Sequence, residues 1–491
     1  MSRSLLEDVK AKLADNVEGY ASINFKDAGN RSRDHYKTSM SPRRFRLRQA
    51  LLPLVRWETA HLAKLQLKWR SKFWDEYFAF SANLGAHTFF VIMLPMPFWF
   101  GYAQLARTLV YVLAAGVIFS GMLKDYFCLP RPLSPPLHRI TMSGSAALEY
   151  GCPSTHSANA VAAALAIVYY ALDRKDEIAP SSLLIIKVLM WIYIASILLG
   201  RLYCGMHGFM DVISGSAIGL VVFLIRWAFK EQIDSFMITP GPIVPLVITP
   251  IILILVRVHP EPVDPCPCFE DSVAFSGVVL GVDLALWHSW NMPWTTTLPY
   301  PGYIPYSFAH SGIFRSAVRV VLGVTCIFLW RAIMKKSLHA LLPPLFRFIE
   351  RIGLSMPRVF FLQASEYNKV PGSIPDTTLV NAREIPSLIG NITRGRSDSV
   401  GPQSTADMYE TMAYREERQR RRSLEGQGSN AASAPPSKEE LEELDEYQLF
   451  LQIKPPRVQY DVEVITKLVV YSGIGWIGVE GCAIMFYYFN L

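Results

Sequence analysis

Apolar runs close to bilayer length recur along this chain, at roughly 80–100, 103–123, 156–173, 183–200, 208–229, 243–258, 272–290, 313–334 and 464–488. A helix needs about 20 apolar residues to cross the hydrocarbon layer, and several of these runs approach that length. Of the 491 residues, 51% are hydrophobic, an excess that suits a membrane protein. The expected fold is all-α, a polytopic membrane bundle of about eight or nine spans. The run at 243–258 is short and proline-flanked.

The rest of the chain divides by composition. Residues 1–76 are polar, then basic, and MSPRRFRLRQALLPLVRW reads as a helix lying along the membrane surface. Its arginines are expected in the headgroups, with Leu51, Leu52, Leu54 and Trp57 dipping in. Residues 77–334 form the membrane core, and 335–364 are a basic interfacial segment. Residues 365–445 are rich in Ser, Pro, Gly, Arg and Glu and read as a disordered insertion, with Ser423 after three arginines as a kinase-type site. Residues 446–491 carry the last span, preceded by a short acidic helix over Lys438–Phe450. The start, MSRSLLEDVKAKLADNVEGY, has no apolar core ahead of a cleavage site, so the first span is expected to act as the insertion signal. The net charge of +7 fits membrane topology and attraction to anionic lipid, not nucleic-acid binding.

Three polar clusters interrupt the core: Lys124 to Pro132 (KDYFCLPRP), Pro153 to Ser157 (PSTHS) and Gly200 to Asp211 (GRLYCGMHGFMD). Each lies at the end of an apolar run. Counting crossings puts all three on one membrane face, where they can form one pocket. Lys124, Arg131 and Arg201 would then converge, and three cations call for an anion with several oxygens. Phosphate fits, because Arg binds it as a fork and Lys as a point charge. Ser154 and Thr155 precede a helix start, whose outward N–H groups add to the cradle.

His207 and Asp211 are four apart at the start of a helix, so they share a face. The carboxylate can hold one imidazole nitrogen as N–H and leave the other as nucleophile. His156 supplies a general acid. The expected cycle has His207 attack phosphorus while His156 protonates the leaving alcohol. Water, activated by His156, then hydrolyses the phosphohistidine. The cations take the part that magnesium plays elsewhere, so no metal and no cofactor is expected.

Lys-x6-Arg-Pro, Pro-Ser-x-His and Arg-x5-His-x3-Asp, in that order, resemble the type 2 phosphatidic acid phosphatase superfamily. KDYFCLPRP, CPSTHS and GRLYCGMHGFMD are most similar to its sphingosine-1-phosphate (long-chain base phosphate) phosphatase branch, and HPEPVDPCPCFEDSVAF resembles the fungal members. The resemblance covers roughly residues 77–334. It implies a lipid phosphomonoester hydrolase of sphingolipid metabolism in the endoplasmic reticulum membrane. Catalytic positions match His207, His156 and Asp211, and phosphate-binding positions match Lys124, Arg131, Ser154, Thr155 and Arg201. Gly200 departs from the pattern, which often has serine there. Rival readings are a broad lipid phosphate phosphatase acting on phosphatidic acid, a phosphotransferase, and a non-catalytic lipid-binding or transport protein.

Other polar residues are expected to play lesser parts. Asp125 reads as a solvated neighbour or a partner for Lys124, and His138 as a loop residue at the pocket rim. Glu261, Asp264, Glu270 and Asp271 lie in a loop counted to the pocket's face, where one of them would attract the ammonium of a long-chain base, or else form a solvated rigid turn. The same loop holds Cys266 and Cys268, whose prolines make a chelating turn awkward. Seven cysteines fit no zinc framework, and whether Cys128, Cys152 and Cys204 pair stays open. Asp283 is expected to line a cavity or pair with a helix polar group. The aromatic loop NMPWTTTLPYPGYIPYSF suits an interfacial cap on the opposite face. The basic start points to a cytosolic pocket, whereas the resemblance implies a lumenal one. A glycan at the Asn391-Ile392-Thr393 sequon would mark its loop as lumenal.

Overall fold

The computed structural model describes residues 28–31, 33–83, 89–90, 93–133, 137, 140, 149–291, 306–370 and 459–491. The expected disorder and phosphosite beyond residue 370, the acidic helix, the sequon, most of the aromatic loop, and His138 lie outside these residues. The architecture is all-α. Its helices are α1 (Arg33–Ser39), α2 (Pro42–Trp69), α3 (Lys72–Asn83), α4 (Pro95–Trp99), α5 (Ala103–Phe127), α6 (Thr155–Asp173), α7 (Pro180–Tyr203) and α8 (Phe209–Ala228). They continue with α9 (Lys230–Met237), α10 (Ile243–Arg257), α11 (Cys268–Asn291), α12 (Phe308–Arg351), α13 (Val462–Trp476), a π-helical turn (Ile477–Gly481) and α14 (Cys482–Tyr488). Two two-residue strands, Phe361–Leu362 and Gln459–Tyr460, pair in parallel.

Among the described residues, six helical stretches are long and apolar enough to cross a membrane: α5, α6, α7, α8, Ser311–Arg351 of α12, and Val462–Tyr488. Two further expected spans form α10, which is shorter, and α11, which runs buried between α5 and α13. The expected span at 80–100 lies partly outside the described residues. Helix α12 runs on through the residues expected to begin a separate basic segment at 335. Near its start it breaks at Gly312, whose φ of +60° favours glycine. Helix α7 turns Leu184, Ile185, Val188, Leu189, Trp191 and Ile192 outward, as a lipid-facing helix does.

The catalytic end of the bundle depends on close backbone approach. Helix α8 lays Gly215 against the Ser154 carbonyl and Gly219 against the Ala158 carbonyl of α6. Gly116 of α5 likewise faces the Asn159 side chain. These helices have no water-driven reason to associate in lipid, so tight packing of small residues supplies the attraction. The spacing also sets how far the residues at the start of α6 stand from those at the start of α8.

Helix α2 does not carry all its arginines in the headgroups. Arg44 donates to the carbonyls of Tyr126 (3.0 Å) and Asp125 (2.6 Å) at the end of α5. Arg48 is buried, donates to the Cys128 carbonyl at 3.1 Å and lies 3.6 Å from the Tyr36 ring centroid. The bare carbonyls at a helix C-terminus draw cations inward. Leu54 and Trp57 do stay exposed. Gln66 reaches the Tyr203 carbonyl at 2.8 Å, so residues 28–69 cap the end where α5 and α7 finish and α6 and α8 begin. Ala103 opens α5 at the far end, about 37 Å away for 25 residues.

A leucine at position 219 has no room beside the Ala158 carbonyl. Gly219→Leu is expected to lower the midpoint of thermal unfolding in detergent, by overpacking of about 1–3 kcal/mol. The same change at Gly241, where nothing lies within 4 Å, would add no overpacking but would carry the strain of a +84° φ. Fluorescence-monitored melts of both variants would separate the two costs.

Candidate active site

The three polar clusters meet at one end of the bundle. The first closes α5: Lys124 lies in its last turn, and Cys128, in the left-handed region at φ 51°, ends the helix. The chain then doubles back, which brings Arg131 over the end of α7. Arg131 Nη1 donates to the Met206 carbonyl at 2.8 Å and lies 3.1 Å from His207 Nε2. A guanidinium only donates, so His207 Nε2 carries the lone pair and its proton sits on Nδ1. Nδ1 lies 3.4 Å from Asp211 Oδ2, long for a hydrogen bond, and that oxygen also accepts from Gly208 N at 2.9 Å. Asp211 thus caps the start of α8 and faces the imidazole with one carboxylate. His207 is 2% exposed and Asp211 1%. Burial, then the nearby Arg131, Lys124 and Arg201, hold the His207 pKa well below its ordinary value. The imidazole is therefore neutral at pH 7, the form a nucleophile needs.

The hydroxyls of Ser154 and Thr155, two expected phosphate ligands, have partners within the protein. Ser154 caps α6, its hydroxyl accepting from Ser157 N (3.3 Å) and from the Ser157 hydroxyl (3.0 Å). Thr155 accepts from Lys124 Nζ at 2.9 Å and pairs with the Ser120 hydroxyl at 2.8 Å. Both hydroxyls are turned to holding the cradle together. His156 follows in the first turn of α6 and interacts electrostatically with His207 and with Glu149. Arg201, in the last turn of α7, is 6% exposed, and its Nη1 has no hydrogen-bond partner among the described residues. Gly200 lies under the Phe78 ring, which a Cβ there would meet at 3.0 Å. A serine there would require that ring to shift by a few tenths of an ångström.

Glu149 had no signal in the sequence beyond being an acid near a cationic motif. Its carboxylate pairs with Lys124 Nζ and, at 2.6 Å, with Arg131 Nη2, while its own carbonyl accepts from Arg131 Nε at 3.0 Å. Burial alone would raise its pKa, but Lys124 and Arg131 hold it well below the usual carboxylate range. Glu58 of α2 was also missed. It accepts from Met210 N at 2.8 Å and so caps the first turn of α8 from outside.

Two acids of the 259–271 segment, Asp264 and Glu270, are held by partners outside the three clusters. Asp264 accepts from Gly29 N (2.9 Å) and the Tyr36 hydroxyl (2.7 Å), pairs with Arg31 (3.0 Å), and its own N–H donates to the Tyr150 hydroxyl (2.8 Å). Glu270 pairs with Lys467. Neither is placed to meet a substrate ammonium. Asp125 is not solvated: it is fully buried, 3.6 Å from His259 Nδ1. Its carboxylate and the sulfurs of Cys266 and Cys268 cluster within 4.8 Å, the one grouping of metal-ligand type among the described residues. Those two sulfurs are paired with each other. Cys128, Cys152 and Cys204 are free thiols. Asp283 accepts from the Tyr111 hydroxyl at 2.5 Å.

A PAP2 superfamily model matches residues 105–234, which hold all three clusters. A dihydrosphingosine 1-phosphate phosphatase of Schizosaccharomyces pombe is 39% identical over 304 residues, 62% of this chain and 72% of the relative. A dihydrosphingosine 1-phosphate phosphatase of Saccharomyces cerevisiae is 39% identical over 324 residues, 66% and 78% of the two chains. Human sphingosine-1-phosphate phosphatase 2 is 28% identical over 244 residues, 49% and 57%. No solved structure matches.

Burial raises the Glu58 pKa from 4.5 to about 7, with the Asp211 charge adding to the rise and the Met210 N–H opposing it. The folded chain therefore holds a proton that the unfolded chain releases between these values, and this group's contribution to stability falls as pH rises from 4.5 to about 7. Glu58→Gln keeps an acceptor for Met210 and removes the charge. The variant is expected to melt above wild type at pH 8, with the gap narrowing as pH falls toward 4.5. A gap that widens toward acid pH would reverse the assignment.

Proposed function

The chain belongs to the PAP2 superfamily, within the family of the dihydrosphingosine 1-phosphate phosphatases, and from that premise we propose that it hydrolyses long-chain base 1-phosphates to the free base and inorganic phosphate. The observation that carries the chemistry is the 3.1 Å approach of Arg131 Nη1 to His207 Nε2. It aims the imidazole lone pair at the cation cradle.

In the first step His207 Nε2 forms a bond to phosphorus. The ester P–O bond breaks, and His156 gives its proton to the departing alkoxide. Arg131 exchanges its contact with His207 for the phosphoryl oxygens, joined by Lys124 and Arg201. Fixed cations facing the charge that spreads over those oxygens lower the barrier without reorganising. Asp211 holds the Nδ1 proton and stabilises the positive charge that the ring gains. In the second step water attacks phosphorus and passes a proton to His156. The P–N bond breaks and the lone pair returns to Nε2. Neither step draws on a metal or cofactor.

The substrate class rests on the relatives' printed activities and on a bundle whose outer helices face lipid. Residues 28–69 and the site lie at the same end of the molecule, so one compartment holds both. We place the multi-pass protein in the endoplasmic reticulum membrane.

In vesicles containing EDTA, wild type is expected to release phosphate from dihydrosphingosine 1-phosphate faster than from phosphatidic acid. His207→Ala is expected to lose roughly 10³-fold or more in kcat, and Asp211→Asn on the order of 10²-fold or more. Equal rates on both lipids would favour a broad lipid phosphate phosphatase. Loss of activity with EDTA that added magnesium restores would overturn the metal-free cycle.

A further inference from the structure

The cradle assigned to phosphate holds a protein carboxylate. Glu149 lies across Lys124 and Arg131, two of the three cations that the proposed reaction requires, and Arg201 is close enough to interact with it electrostatically. We propose that Glu149 is the specificity-determining residue for the amine: phosphate displaces its carboxylate from Lys124 and Arg131, and the carboxylate then takes the substrate's ammonium. This rests on the phosphatase reading above.

Charge makes the exchange favourable. Lys124, Arg131 and Arg201 bring three positive charges, and Glu149 brings one negative. Asp211 already accepts from Gly208 N. A phosphomonoester brings up to two negative charges and more oxygens than a carboxylate, so it competes well for a guanidinium and an ammonium. The displaced Glu149 side chain cannot travel far, because its own carbonyl stays bonded to Arg131 Nε. It is 27% exposed and would lose its charge partners in a half-buried place, which is costly unless a new cation arrives. A long-chain base phosphate carries that cation two carbons from its ester oxygen. Phosphatidic acid has an acyl ester there and offers nothing to pair with.

Four other acids described around the site are less suited to the task. Asp264 and Glu270 are held by the partners described above. Asp125 is wholly buried behind the end of α5. Glu58 is buried and bonded to Met210 N. Glu149 alone among them is partnered by the groups that the substrate itself would engage.

The test uses the full chain in phosphatidylcholine vesicles, as wild type, Glu149→Gln and Glu149→Asp. Three substrates are compared: dihydrosphingosine 1-phosphate, its N-acetyl derivative, and phosphatidic acid. Inhibition by inorganic phosphate is measured alongside. For Glu149→Gln, the ratio of kcat/KM on the amine to that on the N-acetyl lipid is expected to fall about tenfold or more, mostly through KM. Inorganic phosphate should inhibit it more tightly, because the competing carboxylate is gone. Glu149→Asp should recover part of the ratio. Equal losses on all three lipids with unchanged phosphate inhibition would overturn the proposal and make Glu149 a brace for Lys124 and Arg131. Should the Gln variant fail to fold, wild type decides alone: similar kcat/KM on the amine and N-acetyl lipids overturns the proposal. If wild type hydrolyses none of the three, the phosphatase reading fails by itself. Direct binding of inorganic phosphate then reads the Glu149 exchange, and equal affinity in wild type and Glu149→Gln rejects it.

Discussion

The guanidinium of Arg131 ties the site together. One side chain touches the Met206 carbonyl, the His207 imidazole and both the carboxylate and the carbonyl of Glu149. It thereby fixes the tautomer of His207, joins the end of α5 to the loop between α7 and α8, and ties down the chain that leads into α6. A planar fork with five donors can make these contacts together, whereas the single ammonium of a lysine cannot. The same contacts explain why the cations can be buried at all. Lys124 and Arg131 are at most 4% exposed, a place where an unpaired charge is costly. Glu149 and the carbonyls offset that cost in the protein, and phosphate oxygens would offset it in the complex.

Helix packing sets the scale on which this works. His207 stands at the start of α8 and His156 in the first turn of α6. Glycines at 215 and 219 let those two helices approach until backbone meets backbone. Asp211 adds a local link, since its carbonyl accepts from Ser154 N at 2.9 Å. The backbone that positions His207 thus also positions the residue that caps the helix of His156. A shift in one helix would be passed to the other, which suits a reaction that needs attack and protonation on opposite sides of one phosphorus atom.

The N-terminal region is part of the same assembly. Asp264 gathers Gly29, Arg31, Tyr36 and Tyr150 around one carboxylate, so residues 28–40 are bound to the 259–271 loop and to the chain leading into α6. Arg44 and Arg48 add cations at the open carbonyls that end α5. Asp264 of that loop serves this docking, while Glu270 is held by Lys467.

The sequence by itself determined the membrane-helical class, the convergence of the three clusters at one end, and the residue types able to hold phosphate and attack it. Those follow from periodic apolar length, from counting crossings and from the i, i+4 spacing of His207 and Asp211, all of which are local. Tertiary structure alone decided the rest. Ser154 and Thr155 turn their hydroxyls inward because a helix cap and a buried lysine were waiting for them. Asp125 is buried because the 259–271 loop folds over it. Arg44 and Arg48 leave the membrane surface because a helix end offers bare carbonyls. Glu149 sits on Lys124 and Arg131, which stand 25 and 18 residues before it in the chain. Each of these depends on a partner distant in the chain or on the path of a loop, and a linear pattern carries no record of which carboxylate will reach which cation.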